Sequence, residues 1–193
     1  MNQNNFFLGK IKVFQNLFRK EGFDVSVGGG FAIDGFLGRL TREHEDLDLD
    51  IVGSLKWNFG FSKMKEMLES HFKDVRAEKN RFEVFFDKKR VDLEYIQRLK
   101  AKKNGYDFHS EKLFFKVPFY LQKRGKLKGL LFDIENPHYI FAIKYLMPLS
   151  GKKKIRKRDK QDIENLLEHL DKRDLIEVFR FQLDYIERSL EVK

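Results

Sequence analysis

The chain has 193 residues and no cysteine, which excludes disulfide frameworks, thiol nucleophiles and Cys-ligated metal sites. Hydrophobic residues make up 41% of it and Phe alone contributes 21 copies, so a sizeable core is expected rather than disorder. The formal charge of +9 is uneven: Gln97 to Lys160 holds 18 Lys+Arg against 5 Asp+Glu, while the remainder is slightly acidic. Such a segment attracts polyanions, nucleotides and RNA among them. No apolar run approaches the ~20 residues of a membrane span. The start, Met-Asn-Gln-Asn-Asn, lacks a secretory pattern. A cytoplasmic protein without membrane attachment is expected.

In chain order, Ile11, Phe14, Leu17 and Phe18 recur at helical spacing within Leu8 to Lys20, and Gly22 stops that helix. Phe23, Val25 and Val27 alternate with polar residues as a short strand running into Gly28-Gly29-Gly30. A short helix over Phe31 to Leu37 ends near Gly38. A second strand then alternates Leu47, Leu49 and Ile51 with Asp46, Asp48 and Asp50. Phe61 to Phe72 reads as a helix, and Arg81 to Phe86 and Arg90 to Ile96 as a hairpin about Asp87 to Lys89. The polar stretch after Arg98 marks a boundary, giving a domain over 1–100 and a mostly helical one over 101–193. Within the second, Leu113 to Leu121 and Leu127 to Ile134 form an expected hairpin about Lys123 to Lys126, with Pro118 confining its first strand to an edge. Helices follow over Pro137 to about Met147, Lys157 to Leu170 and Asp171 to Leu190. The fold class is α/β (α+β), a mixed sheet with flanking helices followed by the helical C-terminal part.

Chemistry concentrates between Val25 and Val52. Residues two apart on a strand share a face, so Asp46 and Asp48 crowd their carboxylates, an arrangement that either raises a pKa or binds a hard divalent cation such as Mg²⁺ or Mn²⁺. Asp50 is peripheral to that pair. Glycines at a strand end, followed by a helix N-terminus, let backbone N–H groups approach a phosphate, which nominates Gly29 and Gly30. Arg39 and Arg42 lie between the two features and suit phosphate charge or structural ion pairs. Asp92 on a later strand, with Glu94 as the alternative, supplies a third carboxylate that could bind metal and accept a proton.

Gly29-Gly30-Phe31-Ala32-Ile33-Asp34, Leu37-Gly38-Arg39-Leu40-Thr41-Arg42, His44 and Asp46-Leu47-Asp48 together resemble the signature of the DNA polymerase beta type nucleotidyltransferase superfamily. Within it they are most similar to the small enzymes that modify aminoglycosides, of the 2″-O-adenylyltransferase kind, and lincosamides. Tyr139, Lys144 and the run from Arg156 to Asp162 add to the likeness. The resemblance implies a nucleotidyltransferase fold and transfer of a nucleoside monophosphate from a nucleoside triphosphate, with ATP expected, to an acceptor hydroxyl. It implies metal on Asp46, Asp48 and Asp92 and triphosphate contacts from Gly29 and Gly30, while Arg39, Arg42 and Lys144 are further candidates for nucleotide contact beside a structural ion-pairing or solvent-facing role. The acceptor is an antibiotic-like small molecule, or tRNA or protein as in toxin-type relatives. A non-catalytic RNA-binding module, with the acidic strand as mere surface, is the reading from another class. His44, an imidazole that neither metal nor mechanism requires, is expected to support the site from behind or to be structural.

Overall fold

The first helix, α1 (Gln3–Lys20), begins five residues before the apolar stripe suggests, because its polar start is put to use. The Asn2 side chain caps it by accepting the Asn4 N–H. Asn4 donates to the Arg42 carbonyl and accepts from the His44 N–H, while Gln3 donates to the His44 carbonyl. The computed structural model describes residues 2–78, 81–102, 105–110, 113–118, 122–149 and 154–191. After α1 come β1 (Asp24–Val27), α2 (Gly29–Leu37), β2 (Asp46–Gly53), α3 (Trp57–His71), β3 (Val75–Glu78), β4 (Arg81–Phe86) and β5 (Lys89–Lys102). The chain continues through β6 (Gly105–Ser110), β7 (Leu113–Pro118), β8 (Gln122–Leu127), β9 (Leu130–Glu135), α4 (Pro137–Leu149), α5 (Lys157–Leu167) and α6 (Lys172–Glu191).

All these strands join one mixed sheet in the order β3-β4-β5-β2-β1-β9-β8, with β6 added to β5 and β7 to β6. Strand β2 runs antiparallel to β1 and parallel to β5, and β9 runs parallel to β1. Because side chains alternate, one face of the sheet is apolar: Val25, Val27, Leu47, Leu49, Ile51, Val91, Leu93, Phe82 and Val84 are all buried. Phe7, Ile11, Phe14 and Phe18 of α1 and Met64 and Leu68 of α3 complete that core, each large side chain contributing about 1.5–3 kcal/mol. The other face carries Asp46, Asp48 and Asp50 beside Arg90, Asp92 and Glu94, paired residue for residue.

The hairpin about Asp87 forms as expected, with Phe86 opposite Lys89 and Asp87 at positive φ. The second does not turn at Lys123 to Lys126. Those residues lie inside β8, and the chain reverses at Lys128-Gly129, both at positive φ, where glycine admits the tight turn. Strand β7 pairs with β6 alone among the described residues, the edge position that Pro118 requires. The division expected near residue 100 falls within β5, and β8 and β9 return to the sheet beside β1. The helical stretch therefore begins at Pro137. There α4 packs on α6 through Phe179, whose ring centroid lies 5.9 Å from Phe141 and 5.8 Å from Tyr145.

Candidate active site

Strand β1 ends at Val27, and the chain turns so sharply into α2 that Gly29 sits at φ +56°. A Cβ there would run into the Asp48 carboxylate, and one on Gly30 would stand 2.5 Å from both Arg42 and His44. Glycine is thus required on two counts, and the first backbone N–H groups of α2 open beside the acidic strand. The loop from Gly38 to Glu45 is held from beneath. Buried Asp34 accepts the Thr41 N–H at 2.9 Å and its hydroxyl at 2.6 Å, and its second oxygen lies 2.6 Å from His44 Nε2. The His44 ring lies 4.2 Å from that of Phe31. Asp34, Thr41 and His44 are therefore tied together beneath the loop that leads into β2.

The parallel pairing of β2 with β5 sets Asp48 directly beside Asp92, with Asp46 beside Arg90. Burial raises the Asp48 pKa, and the Asp46 charge raises it further. Asp92 is pushed up to about 6, first by burial, with Asp48 and Asp46 adding to it and Arg90 opposing. Its Oδ1 is buried without a hydrogen-bond partner, while Oδ2 is ion-paired with Arg90 at 3.0 Å. An all-carboxylate donor set with an orphaned buried oxygen fits a hard divalent cation held by Asp46, Asp48 and Asp92. Among the described residues no three acidic or histidine side chains are yet gathered tightly enough to grip one ion.

Facing this acid are bases from the C-terminal helices. Lys144 of α4 bonds Asp159 at 2.9 Å and Asp162 at 3.0 Å, and Asp162 also accepts Arg42 at 3.3 Å. Arg158 reaches Glu45 at 2.8 Å, and Gln161 donates to the Thr41 carbonyl. These contacts clamp α5 onto the loop that follows α2. Burial works to raise the Asp159 pKa, yet hydrogen bonds from Arg156 and Lys144 hold it well below the usual carboxylate range. Asp46, Asp48, Asp92, Gly29, Gly30, Arg42 and Lys144 thus come together. Arg39 does not: it follows the C-terminal end of α2, about a helix length from Gly29. Its exposed side chain makes no hydrogen bond or ion pair among the described residues.

Sequence reasoning missed Glu135. The parallel pairing of Val27 with Ile134 brings the end of β9 beside the glycines, where Glu135 accepts the Gly29 N–H. Burial, then Asp48 and Glu94, push its pKa up to about 8. Asp50, which sequence alone places at the periphery, is also shifted well upward, by burial and by Glu135, Glu94 and Asp48. Between the ordinary Glu value of 4.5 and about 8, Glu135 keeps its proton in the folded chain and loses it in the unfolded one. Its contribution to stability therefore falls as pH rises through that window. Glu135→Gln is expected to flatten the decline and to melt higher than wild type at pH 8 but not at pH 4.5. Parallel melting curves across the range would contradict the assignment.

No curated protein matches the chain. The model of the aminoglycoside-2''-adenylyltransferase family matches residues 10–130, more than half of it. The chain belongs to that family. It is accordingly a nucleotidyltransferase rather than a non-catalytic RNA-binding module. Among solved structures, it resembles ANT(2'')-Ia in complex with adenylyl-2''-tobramycin, with a TM-score of 0.69 and 17% identity over 93% of this chain and 99% of that one. The solution structure of ANT(2'')-Ia gives 0.70 and 16%, covering 100% of both. Lincomycin-bound LnuA, a lincosamide antibiotic adenylyltransferase, gives 0.62 and 17% over 84% and 97%. At such identity these likenesses establish the shared fold. No helix among the described residues is long and apolar enough to cross a membrane.

Proposed function

We propose that this adenylyltransferase-family protein moves a nucleoside monophosphate from a nucleoside triphosphate, ATP foremost, to a hydroxyl of a small cationic acceptor of the aminoglycoside class. The observation that carries the reading is the register of β2 on β5, which sets Asp48 beside Asp92 on the polar face of the sheet, next to the Gly29-Gly30 turn. Asp46, Asp48 and Asp92 would hold Mg²⁺ or Mn²⁺, which when bound neutralises triphosphate oxygens and stabilises charge at the α-phosphate. Beyond the Gly29 N–H that Glu135 holds, the next N–H groups of α2, those of Gly30 and Phe31, meet the phosphates. Lys144, Arg156 and Arg158 lend positive potential from across the site, and the Lys144 and Arg158 charges are felt at Asp48. Asp92, whose Oδ1 is buried without a hydrogen-bond partner, accepts the proton of the acceptor hydroxyl. The acceptor oxygen bonds to the α-phosphorus as the bond to pyrophosphate breaks, and the proton leaves on Asp92.

For the acceptor, the deciding feature is the match over residues 10–130 to the aminoglycoside-2''-adenylyltransferase family, whose name specifies an aminoglycoside hydroxyl. The test is label transfer from each α-labelled nucleoside triphosphate with Mg²⁺, offered aminoglycosides, lincosamides and total tRNA in separate tubes. Label on an aminoglycoside is expected. Label on tRNA alone would overturn the acceptor, and label on nothing would overturn the activity.

A further inference from the structure

The acidic face already contains a cation. Arg90 lies one strand over from Asp46, and its Nη2 stands 2.9 Å from Asp46 Oδ2 and 3.0 Å from Asp92 Oδ2. It thus bridges the first and third of the carboxylates that are to hold metal, while Asp92 Oδ1 stays buried without a partner. Behind it, Nη1 lies 3.5 Å from Glu83 Oε1, and Glu83 stands opposite Asp92 across β4 and β5. Glu83 is itself buried and has a second cation, Arg81, at 3.1 Å. Arg90 therefore holds anions on two sides at once, the aspartate pair through Nη2 and Glu83 through Nη1, and is 36% exposed.

We propose that Arg90 is the resident cation of this site, neutralising Asp46 and Asp92 until a divalent ion takes its place and it withdraws to Glu83. The inference rests on the metal-binding reading given above. Three carboxylates gathered without a counterion repel one another, so a guanidinium among them keeps the metal-free site folded. The same guanidinium must be displaced before the donors can close on an ion, which lowers affinity for free metal. A metal already bound to a triphosphate brings extra anionic ligands and competes better. Arg90 would thereby favour entry of metal and nucleotide together.

Substitutions at two positions, with effects of opposite sign, test this. Mn²⁺ binding is measured on the full chain from the electron paramagnetic resonance signal of the free ion, with and without a non-hydrolysable triphosphate analogue. Arg90→Gln is expected to tighten the apparent Kd for Mn²⁺ alone by about tenfold, and Arg90→Lys, which keeps the charge but lacks the second nitrogen that reaches Glu83, by less. Glu83→Gln removes the rear anion and is expected to weaken binding in the wild-type background but to change it little in the Arg90→Gln background. Thermal melting without metal should show Arg90→Gln less stable than wild type. Unchanged or weaker Mn²⁺ binding in both Arg90 variants, with wild-type binding intact, would overturn the role of Arg90 and leave the metal site standing. Absence of Mn²⁺ binding in wild type and variants alike, analogue present, would overturn the site itself.

Discussion

Replacing Asp48 with Asn is expected to reduce nucleotidyl transfer by about 10³-fold or more while leaving the protein as stable as wild type or more so. The two effects have one origin. Burial and the neighbouring Asp46 make the Asp48 carboxylate unfavourable in the folded chain, so an isosteric neutral side chain relieves the fold. The same charge is what a divalent cation needs. Asn fits the space against Gly29 that the carboxylate now occupies, so the turn into α2 has no cause to shift. Melting temperature and transfer rate measured on one preparation separate the two roles. A folded Asp48→Asn protein retaining a tenth of the activity would remove Asp48 from the site.

Lys144→Met should act in the opposite sense, mainly on the fold. The ammonium, 14% exposed, sits between Asp159 and fully buried Asp162. Removing it leaves Asp162 to Arg42 alone, with both contacts at 3.3 Å, and Asp159 to Arg156. Breaking a buried pair by deleting one partner costs about 3–5 kcal/mol, and the remaining partners place this case near 3. For a chain of this size the melting temperature should fall by roughly 6–12 °C. Since Asp159 titrates well below its usual range, its contribution is complete above about pH 4 and fades as pH falls below it. The gap between variant and wild type should narrow in that acid range. An Lys144→Met protein that melts with wild type at pH 7 would show that α5 is not clamped through this residue.

What could be read in the sequence was whatever depends on local period. Asp46, Asp48 and Asp92 share a face because strand residues alternate, and each sits on a strand with buried Leu or Val neighbours. The turn into α2 was legible because three glycines after an apolar run have few other uses. Glu135 was not, since only the parallel contact of β9 with β1, more than a hundred residues apart in the chain, carries it to the glycines. Lys144 and Arg42 were legible as nearby bases but not as partners of Asp162. That pairing depends on how α4 and α5 come back over the loop after α2. The Arg90 guanidinium was invisible for a similar reason: on its own strand it is one more alternating charge, and only the register against β2 aims it between Asp46 and Asp92.

The central claim is that three carboxylates and a glycine turn form one metal-dependent triphosphate site. Calorimetric titration of α,β-methylene-ATP, which cannot be turned over, into the wild-type protein and an Asp46→Asn/Asp48→Asn variant tests it most directly, with Mg²⁺ and with chelator. Binding to wild type that requires Mg²⁺ and disappears in the folded variant is the predicted result. Equal binding to both proteins, or binding indifferent to Mg²⁺, would contradict it.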